Sequence, residues 1–200
     1  MPLQTFSTTE ISRRLKAAPT ARGLEEMIPG LPGEPKPAAV LLPLFRQQGR
    51  WRLLFIRRAV NRLDRHSGEV AFPGGSIERG DSHPVSAALR EAREEIGLAA
   101  GTVELLGNLP AFRTSSNFLV TPVVGRIPWP LPLRADPAEV ARIFSIPLEW
   151  LADPRNHEVR PWRAPGHPRP RPVAFFDPYD GERLWGVSAR ITLSLVRCLR

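Results

Sequence analysis

The chain has 200 residues, 42% of them hydrophobic and 24% charged, with a formal net charge of +8 at pH 7. That length buries a core without disulfides or structural metals, and the composition is that of a globular protein rather than a disordered or fibrous one. The longest clean apolar run, near residues 38–42, is too short to span a membrane, and the first 18 residues hold no apolar signal core, so a cytoplasmic protein with no membrane partner is expected.

Residues 8–18 read as a short amphipathic helix, with Thr8 or Thr9 as cap and Ile11, Leu15 and Ala18 on one face. They lie within an N-terminal extension, residues 1–30, of a chain expected to form one domain over 1–200. After a proline-rich approach at 32–37, the apolar runs 38–45 and 52–57 flank a polar turn at 47–50 and read as a strand pair. A short strand at 69–72 ends at Pro73-Gly74-Gly75.

Residues 84–97 give the clearest helix. Asp81 and Ser82 supply capping oxygens, Pro84 suits the first turn, and Gly97 stops the helix. Val85, Ala88, Leu89, Ala92 and Ile96 form its apolar stripe. Segments 103–106 and 118–127 read as strands. Segments 138–144 and 148–151 read as helical, broken by Pro147. Segments 159–162 and 173–176 form a hairpin around a loop rich in proline and arginine, and 187–199 is a last amphipathic helix. Helices and strands interleave without a regular βαβ rhythm, so an α+β sandwich is expected.

The helix at 84–97 poses the chemical question, because it carries Glu91, Glu94 and Glu95. Glu91 and Glu95 are four residues apart and stack; Glu94, three beyond Glu91, shares that flank. The apolar stripe is read as lying elsewhere, which puts the acids outside the core. Like charges at this spacing destabilise a helix by roughly 0.2–0.5 kcal/mol per pair, partly offset by Arg90 reaching Glu94. A solvated acidic flank is one explanation. The other is a hard cation: Mg²⁺ or Mn²⁺ takes one or two carboxylates plus substrate phosphates, and the Gly74-Gly75 turn lets backbone carbonyls approach. A basic chain suits a polyanion, yet its two lysines and 23 prolines also fit an arginine-rich compositional bias. The single cysteine, Cys198, reads as a small apolar residue of the last helix.

Gly75, five residues, Asp81, eight residues, then Arg90-Glu91-Ala92-Arg93-Glu94-Glu95-Ile96-Gly97-Leu98 resembles the Nudix box. Asp81 replaces a glutamate of that pattern, one extra residue precedes Arg90, and Ala92 is small for its place. The same departures resemble the coenzyme A pyrophosphatase subfamily. So do the upstream residues Leu53-Leu54, Arg57, Leu63, His66 and Gly68-Glu69-Val70-Ala71-Phe72-Pro73-Gly74-Gly75, although Glu69 stands where glutamine is usual. Downstream, 118–125, Glu139-Val140, Pro147-Leu148 and Trp185-Gly186 are also similar, so the resemblance covers about 38–198.

The resemblance implies an α/β/α sandwich with a central mixed sheet. It also implies a Mg²⁺- or Mn²⁺-dependent hydrolase that cleaves coenzyme A or its derivatives to 3′,5′-ADP and 4′-phosphopantetheine. Glu91 and Glu95 would bind the cation, Glu94 would assist directly or through water, and Gly75 would offer its carbonyl. Arg90 would orient a glutamate. Glu94 and Glu139 are the candidate general bases, although Glu139 also reads as a first-turn helix acid. Among Arg57, Arg58, Arg62 and Arg65, at least one should meet phosphate, Arg57 first. His66 either donates to substrate or braces the glycine loop. Arg160, Arg163, Arg169 and Arg171 flank a loop that reads as mobile surface or as a substrate lid. The expected partner is a small diphosphate, not nucleic acid, and a homodimer is compatible with it. Two other readings stay open: a hydrolase of ADP-ribose, NADH or an oxidised nucleotide, and a non-catalytic nucleotide or nucleic-acid sensor on the same fold.

Overall fold

A computed structural model describes residues 3–17, 33–60, 67–163 and 170–200. The expected strand pair is β1 (Lys36–Gln47) and β2 (Arg50–Arg58), joined by a two-residue turn in which Gln48 and Gly49 both have positive φ, 51° and 77°. Such a turn matches the twist of the strands it joins. Both strands are nearly continuous in apolar residues because both faces of the sheet are covered. Trp51, Leu53 and Phe55 point to one core cluster; Leu54 and Ile56 point to the other.

The central sheet has eight strands and mixed pairing. β1 runs parallel to β7 (Phe118–Arg126), and the rest pair antiparallel: β2 with β3 (Val70–Ala71), β1 with β4 (Gly74–Ser76), and β7 with β5 (Glu104–Asn108) and β6 (Phe112–Arg113). The helix α2 (Pro84–Ile96) covers one face. The other face carries α1 (Thr8–Ala17), α3 (Leu148–Ala152) and α4 (Gly186–Leu199), whose residues share one core cluster with Phe55 and Phe144. This is the expected α+β, α/β/α sandwich. A separate hairpin, β9 (His157–Trp162) with β10 (Arg171–Phe176), packs beside α4. Among the described residues, no helix is long and apolar enough to cross a membrane.

Segment 138–144 is not a helix. It leads into the edge strand β8 (Val140–Pro147), which pairs with β2 from Arg52 to Arg58. Val140 and Phe144 are four apart, which suits a helix, but Phe144, Ile146 and Leu148 also alternate, and among the described residues the edge of β2 opposite β1 and β3 has no other partner. The helix at 148–151 survives as α3. Two caps also differ from expectation. Ser7, not Thr8 or Thr9, accepts from Glu10 N–H at the start of α1 (3.1 Å). On α2, His83 and Ser86 form the reciprocal capping pair that Asp81 and Ser82 were expected to supply. Pro84 and Gly97, the latter left-handed at φ 68°, hold the places expected of them. Half of the N-terminal extension and the tip of the arginine-rich loop, with Arg169, fall outside the described residues.

Candidate active site

Helix α2 is where the sequence reading needs its main correction. Ala88, Glu91, Ala92, Glu95 and Ile96 follow the i, i+3, i+4, i+7, i+8 order of a buried stripe. Two glutamates therefore stand in core-type positions. Glu95 is only 1% exposed, and Glu91 is largely covered; Glu94, on the outer side, is exposed. The acids do not form one solvated flank. Alanines at 87, 88 and 92 let the helix lie close to β1, which brings Glu91 and Glu95 against the Gly74-Gly75 strand.

The contacts are specific. Gly74 N–H donates to Glu95 Oε2 at 3.0 Å, and Arg58 Nη1 stands 3.9 Å from Oε1. Burial outweighs both and pushes the Glu95 carboxyl up to about 8. Burial also raises Glu91, against the pull of Arg90. Glu139, exposed in the turn before β8, is near enough to raise both further. Its turn is fixed from two sides: Ala59 N–H donates to the Glu139 carbonyl (2.7 Å), and Asp136 N–H donates to that of Glu95 (2.8 Å). Glu139 thus reaches the acids from a turn beside β2, not from a helix.

Arg90 is the hub of the helix surface. Its guanidinium donates to Asp81 Oδ2, Glu91 Oε1 and Glu94 Oε2, each at 3.0 Å, and to the Ser76 carbonyl at 3.1 Å. Asp81, displaced from its expected capping role, accepts from Glu78 N–H at 2.9 Å and so ties the loop after β4 to the helix through Arg90.

A cation fits the chemistry of this donor set. A Cβ at Gly75 would fall 2.6 Å from Glu91 Cδ, so only glycine leaves that carboxylate room against the turn. A buried carboxylate whose nearest guanidinium is 3.9 Å away, beside a largely covered one that shares Arg90, against a backbone strand, matches what Mg²⁺ takes from protein while substrate supplies the rest. Among the described residues, no three acidic, histidine or cysteine side chains already close into a cage.

The strand alternation of β2 separates the two candidate arginines. Arg58 shares the α2 side with the acids. Arg57 shares the opposite side with Phe55 and pairs with Glu182. His66, Leu63, Arg62 and Arg65 lie outside the described residues. Two groups near Arg57 escaped the sequence reading: Arg142, hidden in the misread helix, and Glu182, held by the Asp180-Gly181 turn. The dipeptide Asp-Gly signals a hairpin turn but not what its neighbour would bind.

Comparison with known proteins bears on this arrangement. A family model for the NUDIX domain matches residues 35–168. The uncharacterized Nudix hydrolase NudL of Salmonella paratyphi B and that of Salmonella newport are each 40% identical to this chain over 161 residues, covering 79% of it and 80% of their own length. Among solved structures, the MutT/nudix family protein from Enterococcus faecalis has the same fold, with a TM-score of 0.51 at 16% identity over 82% of this chain and 62% of that one.

Proposed function

This chain belongs to the Nudix hydrolase family, and from that premise we propose that its substrate is coenzyme A or an acyl derivative, cleaved at the diphosphate. The family acts on pyrophosphate bonds and generally uses divalent cations such as Mg²⁺ or Mn²⁺. Water adds to one phosphorus, the bridging P–O bond breaks, and the products are 3′,5′-ADP and 4′-phosphopantetheine or its acyl form.

The observation that carries the reading is the pair of glutamates in core positions of α2. Burying Glu95 raises its pKa to about 8, a cost that a solvated acidic flank would not bear and that a bound cation offsets. Glu91 and Glu95, with the Gly75 carbonyl, would hold the ion; Glu94 would assist through water. A bound divalent cation sharpens a water nucleophile and neutralises charge on the diphosphate. Arg90 keeps Glu91 and Glu94 oriented. The proton of the attacking water goes to Glu139 or Glu94, the acids able to approach from outside the buried pair. Arg58 faces the acids and would meet the diphosphate; Arg57, round the strand end, would meet substrate farther out, and His66 is a further candidate substrate contact. The coenzyme A assignment is supported by the resemblance at Leu53-Leu54, Arg57, His66 and the Gly68–Gly75 run.

The test is a product-identified screen with Mg²⁺ and Mn²⁺ over coenzyme A, dephospho-coenzyme A, ADP-ribose, NADH and nucleoside triphosphates. Coenzyme A should be cleaved most efficiently, and loss of its 3′-phosphate should lower kcat/KM. Faster cleavage of ADP-ribose overturns the substrate but not the family. Binding without any product would mark a sensor.

A further inference from the structure

On the side of β2 away from the acids, Arg57 and Arg142 stand directly opposite each other in the β2/β8 pairing. Like charges in that position repel. One buried carboxylate lies between them: Glu182, whose side chain is 7% exposed, takes a hydrogen bond from Arg142 Nη1 at 3.0 Å, with Arg57 Nη1 3.7 Å from the same oxygen. The two arginines are used differently. Arg142 also donates to the Asp180 carbonyl at 3.0 Å and to the Asp180 carboxylate, so three of its donors are already engaged. Arg57 makes no side-chain hydrogen bond among the described residues, and its side chain is 44% exposed.

Glu182 is itself firmly placed. Tyr179 and Glu182 exchange backbone hydrogen bonds of 2.9 and 3.0 Å around Asp180 and Gly181, both at positive φ, and Tyr179 packs edge-on against Trp150. A buried charge on a two-residue turn is a fixed anchor. A half-exposed guanidinium held at 3.7 Å, with its donors open, is aimed but not consumed.

We infer that Glu182 is a positioning residue: it holds the Arg57 guanidinium at the end of β2 so that its free donors receive a phosphate group of a nucleotide. The inference rests on the diphosphate reading above and deepens it by naming what orders a substrate arginine. Without Glu182, repulsion from Arg142 would let Arg57 swing into solvent, and binding would then have to order it again.

The sign of one substitution separates this from the alternatives. Glu182→Gln keeps an oxygen for Arg142 and removes a negative charge. A carboxylate that merely crowds the site repels phosphate, so its removal would tighten binding. One that only glues the C-terminal segment would lower the melting temperature and leave the Kd alone. A positioning carboxylate gives weaker binding. Calorimetric titration with 3′,5′-ADP and Mg²⁺ should show Arg57→Ala weakening binding about tenfold, and Glu182→Gln about three- to tenfold. The double variant should be no weaker than Arg57→Ala alone. Glu182→Asp, which keeps the charge, should fall between parent and Glu182→Gln, and it carries the test if Glu182→Gln does not fold. Tighter or unchanged binding by Glu182→Gln, multiplicative losses in the double variant, or no binding by the parent overturns the inference. Coenzyme A turnover, run in parallel, separates the two ideas. Normal turnover with unaffected binding in the variants removes Glu182 and leaves the substrate reading standing. Absent turnover with the expected Kd pattern does the reverse.

Discussion

The two faces of the central sheet are packed with different materials. Toward α2, Leu54 and Ile56 meet Ala87, Ala88, Ala92 and Ile96, and among these small side chains sits the buried carboxylate of Glu95. On the other face Trp51, Leu53 and Phe55 meet large rings; Phe55 lies 4.8 Å from Phe72 and 5.8 Å from Phe144, centroid to centroid. There the buried acid, Glu182, lies at the rim and is paired. One face is filled to hold the fold. The other keeps its helix close and accepts a charge that destabilises the empty site. Arg57 and Arg58, adjacent in sequence, mark the divide at the end of β2.

The difference should show first in stability. Phe55→Ala empties the aromatic face and should cost about 3–5 kcal/mol, read by denaturant unfolding. The folded fraction should keep a kcat near the parent's, because the acids stand on the other side. A large loss of kcat in the folded fraction would mean the faces are not separable in this way.

Glu95→Gln should do the opposite. Losing a cation ligand removes several kcal/mol of charge stabilisation, so kcat should fall by about 10³-fold. In chelator, with no cation bound, the fold should not suffer. The Glu95 carboxyl titrates at about 8 when folded, against an ordinary 4.5. Between those values the folded state holds a proton that the unfolded state has lost, so parent stability falls as pH rises from 4.5 to 8. The slope is at most about 1.4 kcal/mol per pH unit. Glu95→Gln should flatten that slope, and melts at pH 5 and pH 8 will show it. Equal slopes in the two proteins would remove the buried charge from the comparison.

These two substitutions also show how much was legible in the sequence. The Gly74-Gly75 pair, read as a turn, is the short strand β4, but α2 with its Pro84 start and Gly97 stop, and the β1–β2 pair, follow from local signals strong enough to survive packing. That Glu91 and Glu95 face inward was present in the spacing too, since they complete the stripe of Ala88, Ala92 and Ile96. Charge alone argued against it, and charge is the property a functional site overrides. The strand at 140–147 was illegible for another reason: its apolar spacing satisfies two periods, and only the open edge of β2 decides between them. Glu182 was hidden because its partners, Arg57 and Arg142, are distant in sequence and meet only through β2 and β8.

A subtler intervention is Gly75→Ala. Gly75 is not at positive φ, so an alanine there adds no backbone strain. Its methyl would instead press on the Glu91 carboxylate. Glu91 can yield by turning farther toward Arg90, which leaves the fold intact and the ligand misdirected. Half-activation should then need about tenfold more Mg²⁺, with an unchanged melt in chelator. A collapse of stability would show that the turn, and not the carboxylate, is the rigid partner.

The smallest effect contrasts neighbours within α2 itself. Glu94 differs from Glu95 by one position and by its whole environment. Its side chain is 57% exposed and pairs with Arg90 at 3.0 Å as an i, i+4 contact. Such a pair contributes about 0.3–0.5 kcal/mol at a surface and is screened by salt. Glu94→Gln should therefore lower stability by that much at low ionic strength, and by less in concentrated salt. Glu95→Gln, measured beside it in chelator at pH 8, should raise stability. Opposite signs at adjacent residues, both changed from Glu to Gln, cannot come from net charge or from a common acidic flank, since either would move both variants the same way. They require that one carboxylate be solvated and paired and the other desolvated against the glycine strand. Matching signs would return both acids to a shared surface and remove the reason for assigning a cation to the inner one.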